Sequence, residues 1–262
     1  IPHLPRAYTN AQPSVFNSDG TPNFVNAATL VANAIAARAT LLIIDSETAL
    51  AAKIDQREIG NAGGPASQEE IDLRLDSLIA IYNFIKTITN MKVGWYGLHL
   101  RSYFIPVNYY DKGTGAAEFT AWREAHDRWN YRYVGGALRS GFPINRGFDV
   151  AICDVYTFYG PDDSHANTYV RENLYVMQAK VSGNKPVYGM MWPYFHDTSA
   201  WAGRAYPTGY MTTVLQMSKY SSGAVIWGGY GVSATLSNRF TPTTTVKAEW
   251  EAVTNGSLQI RY

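Results

Sequence analysis

The run TLLIIDSE (40–47) carries four large apolar residues into two acids separated by one serine. Side chains alternate along a strand, so Leu41, Ile43, Asp45 and Glu47 share one face, and Leu42, Ile44 and Ser46 take the other. Two carboxyls leaving one face of a strand end can divide proton transfer and charge stabilisation between them, as glycoside hydrolysis requires. A structural alternative exists for so short a motif: Asp45 caps the next segment and Glu47 is solvated. The choice turns on what the other elements bring to the same place.

Other strand-like runs lie at 92–98, 149–159, 185–195 and 222–231, with a short and weak one at 6–10, and helical periodicity lies between them. Residues 23–38 put Phe24, Leu30, Val31, Ala34 and Ile35 at helical spacing. Residues 67–89 open with the capping box Ser67-Gln-Glu-Glu70, then carry Ile71, Leu75, Leu78, Ile79, Tyr82 and Ile85 on one stripe. Further helical patterns cover 116–139, 165–182, 208–220 and 244–254. Strands that are apolar throughout and alternate with helices predict an α/β fold built on a parallel sheet. Neither Gly-x-Gly-x-x-Gly nor a Walker-type Gly-rich Lys-Ser/Thr motif occurs, which removes the usual reasons for an open nucleotide-binding sheet. The expected architecture is a TIM-like (β/α) barrel, irregular or incomplete, with fewer than eight βα units. No internal repeat or splitting linker is visible, and GNAGGPAS (60–67) reads as a loop, so residues 1–262 are expected to form one domain.

Barrels of this kind carry their chemistry at the C-terminal ends of the strands. Read there, the chain offers Tyr8-Thr9-Asn10, then Asp45 and Glu47, then Trp95-Tyr96-Gly97 with His99 and Arg101 beyond. Later ends supply Asp154, Tyr156 and Tyr159, then Trp192, Tyr194, His196 and Asp197, and finally Trp227 and Tyr230. Acids ringed by flat aromatic faces suit sugar binding and glycosidic cleavage. Each residue also has a plainer reading. Trp227 fits a core, Asp154 a hydrogen-bonded structural acid, and His99 and His196 ordinary loop positions. What favours the site is that all of them fall at one rim.

Composition narrows the alternatives. The net charge is +1 with 16% charged residues, which gives no electrostatic case for nucleic acid or an anionic membrane. Aromatic residues make up 14% of the chain, 19 of them tyrosine, a mild tilt toward carbohydrate. The single Cys153 excludes an internal disulfide and is expected as a buried thiol. Five scattered histidines, without His-x-x-x-His or Cys-x-x-Cys spacing, argue against zinc, so no metal or cofactor is expected. There is no Gly-x-Ser-x-Gly elbow, and Ser46 lies on the face opposite the acids. Asn255-Gly-Ser257 matches a glycosylation sequon, a match so short that it is usually fortuitous. No run approaches a membrane span, and no signal peptide is read before Ile1. An extracellular, cell-surface or virion-associated setting is the expectation for an enzyme of polysaccharides.

The strand ends resemble those of the hyaluronidase family of glycoside hydrolases. LLIIDSE is similar to that family's apolar strand ending Asp-x-Glu, and GWYG to its Trp/Phe-Tyr-Gly turn. KPVYGMMWPYFHD resembles its Pro-Val-aromatic strand closing Phe-x-Asp, SSGAVIWGGY its last Gly-x-x-x-Trp-Gly strand, and AYTNAQPS its opening Trp-Asn-x-Pro-Thr/Ser segment. The similarity runs from about Tyr8 to Tyr230 in the family's order. It implies an incomplete barrel and a retaining mechanism in which the substrate's N-acetyl oxygen is the nucleophile. Glu47 would then be the acid/base and Asp45 the partner that orients the acetamido group. Tyr156 would touch that group, Trp227 would floor the subsite, and Tyr96, Asp154, Trp192 and Tyr194 would complete the substrate-binding set. The chain departs from the family at Met190, where a tyrosine is expected and for which Trp192 or Tyr194 at the same strand parity could compensate, and in lacking its disulfides and cysteine-rich tail. A basic groove for a polyanion would have to come from Arg101, Arg139 and Arg204. The resemblance therefore implies an endo-acting hydrolase of an N-acetylhexosamine polysaccharide, hyaluronan or a bacterial capsule, exopolysaccharide or peptidoglycan glycan. The alternatives are a lysozyme-like muramidase of bacterial or phage type, an inverting glycosidase pairing Asp154 with Glu47, and a carbohydrate-binding domain without catalysis.

Overall fold

A computed structural model describes residues 7–10, 14–45, 68–96, 133–134, 137–138, 147–155, 170, 174, 185–191 and 222–226. In chain order the elements are β1 (Ala7–Asn10), α1 (Phe24–Ala36), β2 (Leu41–Asp45), α2 (Gln68–Ile88) and β3 (Lys92–Tyr96). They continue with β4 (Tyr133–Val134), β5 (Ala137–Leu138), β6 (Val150–Asp154), β7 (Val187–Met191) and β8 (Gly223–Ile226). Each of the six strand-like runs read from the sequence, the weak one at 6–10 included, contains one strand of a single parallel sheet, ordered β1-β2-β3-β6-β7-β8.

That order never doubles back. A doubly wound sheet reverses its strand order partway, which sends helices to both faces. Here every strand of the sheet joins the edge left by its predecessor. Right-handed crossovers then carry successive connections over one and the same face. The two described helices agree with this, since α1 and α2 pack on each other, with the rings of Phe24 and Phe84 4.9 Å apart.

Among the described residues, both faces of the central strands are largely buried, as continuous apolar strands require. On one face Leu41, Ile43, Tyr96, Val150, Ile152, Met190 and Val225 form a cluster, with Tyr188 against it. The alternate residues Leu42, Ile44, Val93, Trp95, Ala151 and Cys153 are buried on the other. Trp95 belongs to this second, helix-covered layer. Its ring meets Phe16, and its Nε1 donates to the Gly147 carbonyl at 2.7 Å, beside Leu78 of α2. Cys153 is the buried thiol expected.

Local chemistry sets the helix ends. The Asn23 side chain accepts from the Asn26 N–H at 2.9 Å, which caps the N-terminus of α1. At its other end Arg38 takes a left-handed conformation, φ 56°. The Arg38 N–H donates to the Ile35 carbonyl at 2.9 Å and the Ala39 N–H to the Ala34 carbonyl at 3.0 Å. This is the Schellman pattern, with arginine where glycine is usual, and it turns the chain into β2.

Three details differ from the sequence reading. Phe24 and Ile35 of α1 are 43% and 52% exposed, and Ala27 is buried in their stead. In α2, Ile81 is fully buried, while Ile79 and Tyr82 are only partly so. The centre of each stripe is buried as expected, Leu30, Val31 and Ala34 in α1 and Leu75, Leu78 and Ile85 in α2, while Phe24 packs on Phe84 from the exposed margin. The helix expected over 116–139 is corrected at its end, where β4 and β5 form an antiparallel pair. The pairing of Val134 with Ala137 leaves only Gly135 and Gly136 between the strands, a two-residue loop composition that favours a hairpin over a helix. The helices expected at 208–220 and 244–254 lie outside the described residues, as does 165–182 except for Val170 and Leu174, both helical and buried. Ser67 also lies outside them, one residue before α2 begins.

Candidate functional site

All the strands of the sheet are parallel, so their C-terminal ends form one edge. β2 delivers Asp45 to that edge, β3 delivers Tyr96, and β6 delivers Asp154. Asp45 and Tyr96 are register partners. Asp154 is the register partner of Met190, which in turn pairs with Val225.

Parity decides which side of the edge these residues occupy. Asp45 follows Leu41 and Ile43 at alternate positions, and those two belong to the cluster that contains Tyr96. The sequence argument that put Asp45 on the face of Leu41 and Ile43 therefore meets Tyr96 there as well. Asp45 is half-buried and Tyr96 is 7% exposed, so the tyrosine forms floor rather than rim. Neighbouring strands stand about 4.8 Å apart. With β3 between them, β2 and β6 bring the backbones of Asp45 and Asp154 to a lateral separation of roughly 10 Å.

Met190 is fully buried within the same cluster. Where the resemblance implies a tyrosine hydroxyl, this chain places a polarizable apolar side chain among Val225, Ile152 and Tyr188. Glu47, Tyr156, Trp192, Tyr194 and Trp227 lie outside the described residues, as do His99, Arg101 and His196.

The opposite, N-terminal edge holds a polar knot that sequence reasoning missed. Asp149, just before β6, accepts from the Tyr82 hydroxyl at 2.8 Å through Oδ1. Its Oδ2 accepts from Lys86 Nζ at 3.1 Å and from the Val93 N–H at 3.0 Å. One carboxylate thus ties α2 to the start of β3. Burial and then the Asp149 carboxylate push the Tyr82 hydroxyl up to about 12. Lys185 lies close by, its Nζ 4.7 Å from the centre of the Phe148 ring and donating to the Phe148 carbonyl. Burial lowers its pKa, against the opposing pull of Asp149. The only sequence signal for this knot is the acid preceding an apolar strand.

Among the described residues, no group of three His, Cys, Asp or Glu side chains could hold a metal ion, and no helix is long and apolar enough to cross a membrane.

No protein-family model matches the chain, and no curated protein matches its sequence. The fold does have solved counterparts. The chain is similar to bee venom hyaluronidase, at a TM-score of 0.53 and 12% identity, over 95% of this chain and 84% of the bee protein. A second structure of the bee enzyme, in complex with a hyaluronic acid tetramer, matches to the same extent. This chain has a hyaluronidase-like fold.

Proposed function

We propose that this protein is a glycoside hydrolase that cleaves an N-acetylhexosamine-containing polysaccharide within the chain. Residues 1–262 form one catalytic domain whose sheet curls into an irregular barrel, its mouth at the C-terminal edge of the strands. The observation that carries the reading is the pairing of Asp45 with Tyr96 on the clustered face at that edge. It is supported by a fold shared with an enzyme known in complex with a hyaluronic acid tetramer. A sheet without strand-order reversal, apolar on both faces, also suits a barrel, where the clustered face becomes the interior.

In this mechanism Glu47, two residues beyond Asp45, donates a proton to the leaving glycosidic oxygen. The acetamido oxygen of the sugar attacks the anomeric carbon, and the glycosidic bond breaks to leave a cyclic oxazolinium. Glu47, now a carboxylate, takes a proton from water as the water opens that ring with net retention. Asp45 orients the acetamido group and stabilises the positive charge it gains. Tyr96, Asp154, Tyr156, Trp192, Tyr194 and Trp227 hold the sugars, the aromatic rings by stacking.

The test is Glu47→Gln assayed on a panel of hyaluronan, chitin oligosaccharides and peptidoglycan glycan, with product anomers followed by NMR. Loss of turnover by about 10²-fold or more with binding kept is expected. Undiminished turnover would remove Glu47 from the chemistry, and an inverted first product would replace substrate assistance with a water activated by a second carboxyl, Asp154.

A further inference from the structure

The clustered face of the sheet has a notch in it. Gly94 stands two residues before Tyr96 on that face, paired with Ile43 on one side and Val150 on the other. A Cβ at position 94 would fall 2.8 Å from Cγ1 and 3.1 Å from Cδ1 of Ile152, and 3.0 Å from the Val150 carbonyl oxygen. Carbon atoms pack best at about 3.5–4.0 Å, so Ile152 already fills the volume that a side chain at 94 would need. Ile152 is itself 1% exposed and clustered with Tyr96, Ile43 and Met190. One further step along the β3–β6 register brings it opposite Tyr96.

We propose that Gly94 and Ile152 are a complementary-volume pair that positions Tyr96, and through the β2–β3 ladder Asp45, for the substrate. This rests on the function proposed above. Neither residue touches sugar. Ile152 seated in the glycine notch is the support for the Tyr96 side chain, and a close-packed interior passes any displacement of that support to its neighbours. A methyl group at 94 meets a ladder carbonyl on one side and the γ-methylene of the enclosed Ile152 side chain on the other. Ile152 must therefore shift within the cluster that holds Tyr96.

Three variants separate positioning from packing: Gly94→Ala, Ile152→Ala, and the two combined. In steady-state assays Gly94→Ala is expected to lower kcat about tenfold or more with a smaller change in KM. Ile152→Ala, which empties the notch and keeps the glycine, is expected to lower kcat in the same direction. The double variant, which exchanges one volume for the other, should recover most of the loss. The readout independent of activity is the ¹³Cζ resonance of Tyr96, assigned by its disappearance in Tyr96→Phe. It should move in each single variant and return toward its original position in the double. An inactive wild type would defeat the proposed hydrolase, while the Tyr96 resonance would still test the pair. Additive losses in the double variant, or an Ile152→Ala protein with unchanged kcat and an unmoved Tyr96 resonance, would overturn the positioning role.

Discussion

Asp45 and Tyr96 are directly opposed across the β2–β3 ladder, each the last residue of its strand. The ladder fixes their backbones about 4.8 Å apart, and two buried rungs, Leu41 and Ile43, stand behind the aspartate. A carboxyl held this way reorganises little when charge develops near it, and that is the condition under which a fixed dipole lowers a barrier most.

Asp45→Asn keeps the shape and removes the charge. It is expected to reduce kcat by about 10²–10³-fold on an N-acetylated polymer, with KM changed far less. Tyr96→Phe removes one hydroxyl and should reduce kcat/KM by about tenfold. Steady-state kinetics on variants with wild-type circular dichroism measure both. A full-rate Asp45→Asn enzyme is incompatible with its assigned role.

At the other edge, Asp149→Ala strips partners from the Tyr82 hydroxyl, the Lys86 ammonium and the Val93 N–H together. Stability should fall by about 2–4 kcal/mol, read from urea unfolding. The folded protein should retain its kcat/KM, because the knot lies at the end of the strands opposite the proposed site. Asp149→Asn, which can still accept from Val93, should lose less.

The Tyr82 hydroxyl gives alkaline stability a definite sign. Its folded pKa is about 12 against 10.0 for the free group, so the folded state keeps a proton that the unfolded chain releases first. That stabilisation is complete below pH 10 and is lost as pH climbs toward 12. Lys185, lowered by burial, acts in the opposite sense as its charge is relieved, and it is common to both proteins compared. The difference in Tm between wild type and Tyr82→Phe should therefore shrink from pH 10 to 12. A constant difference across that window would contradict the Tyr82–Asp149 linkage.

Arg38 holds a left-handed conformation that a Cβ disfavours. Arg38→Gly should raise stability by up to about 1 kcal/mol, the relief of strain being offset in part by the greater freedom of glycine in the unfolded chain. Thermal unfolding reads this as a higher Tm with activity unaltered.

The strands β2, β3, β6, β7 and β8 were legible because each lies in a largely apolar run, whereas β1, Ala-Tyr-Thr-Asn, gave only a short and weak signal. The face shared by Asp45, Leu41 and Ile43 followed from alternation alone. Legibility ended where contacts join residues distant in the sequence. Asp149 reaches Tyr82 and Lys86 across 67 and 63 residues, and no local pattern announces that meeting. Phe24 and Ile35 matched the helical stripe of α1, yet both lie at its exposed margin while Ala27 is buried. The β4–β5 pair was hidden by apolar residues compatible with either period, although Gly135-Gly136 was the signal to heed. At the site, spacing could identify Asp45 and Tyr96 as strand ends, but only the register could oppose them.

The uninterrupted strand order also bears on how the chain is made. Every strand of the sheet after β1 docks on one that has already left the ribosome: β2 on β1, β3 on β2, β6 on β3, β7 on β6 and β8 on β7. No pairing in this row waits for a later segment to wedge between two earlier ones. At about 5–20 residues per second of synthesis, the sheet can lengthen one strand at a time behind the exit tunnel. Asp45 and Tyr96 would then be neighbours before β6, β7 and β8 exist.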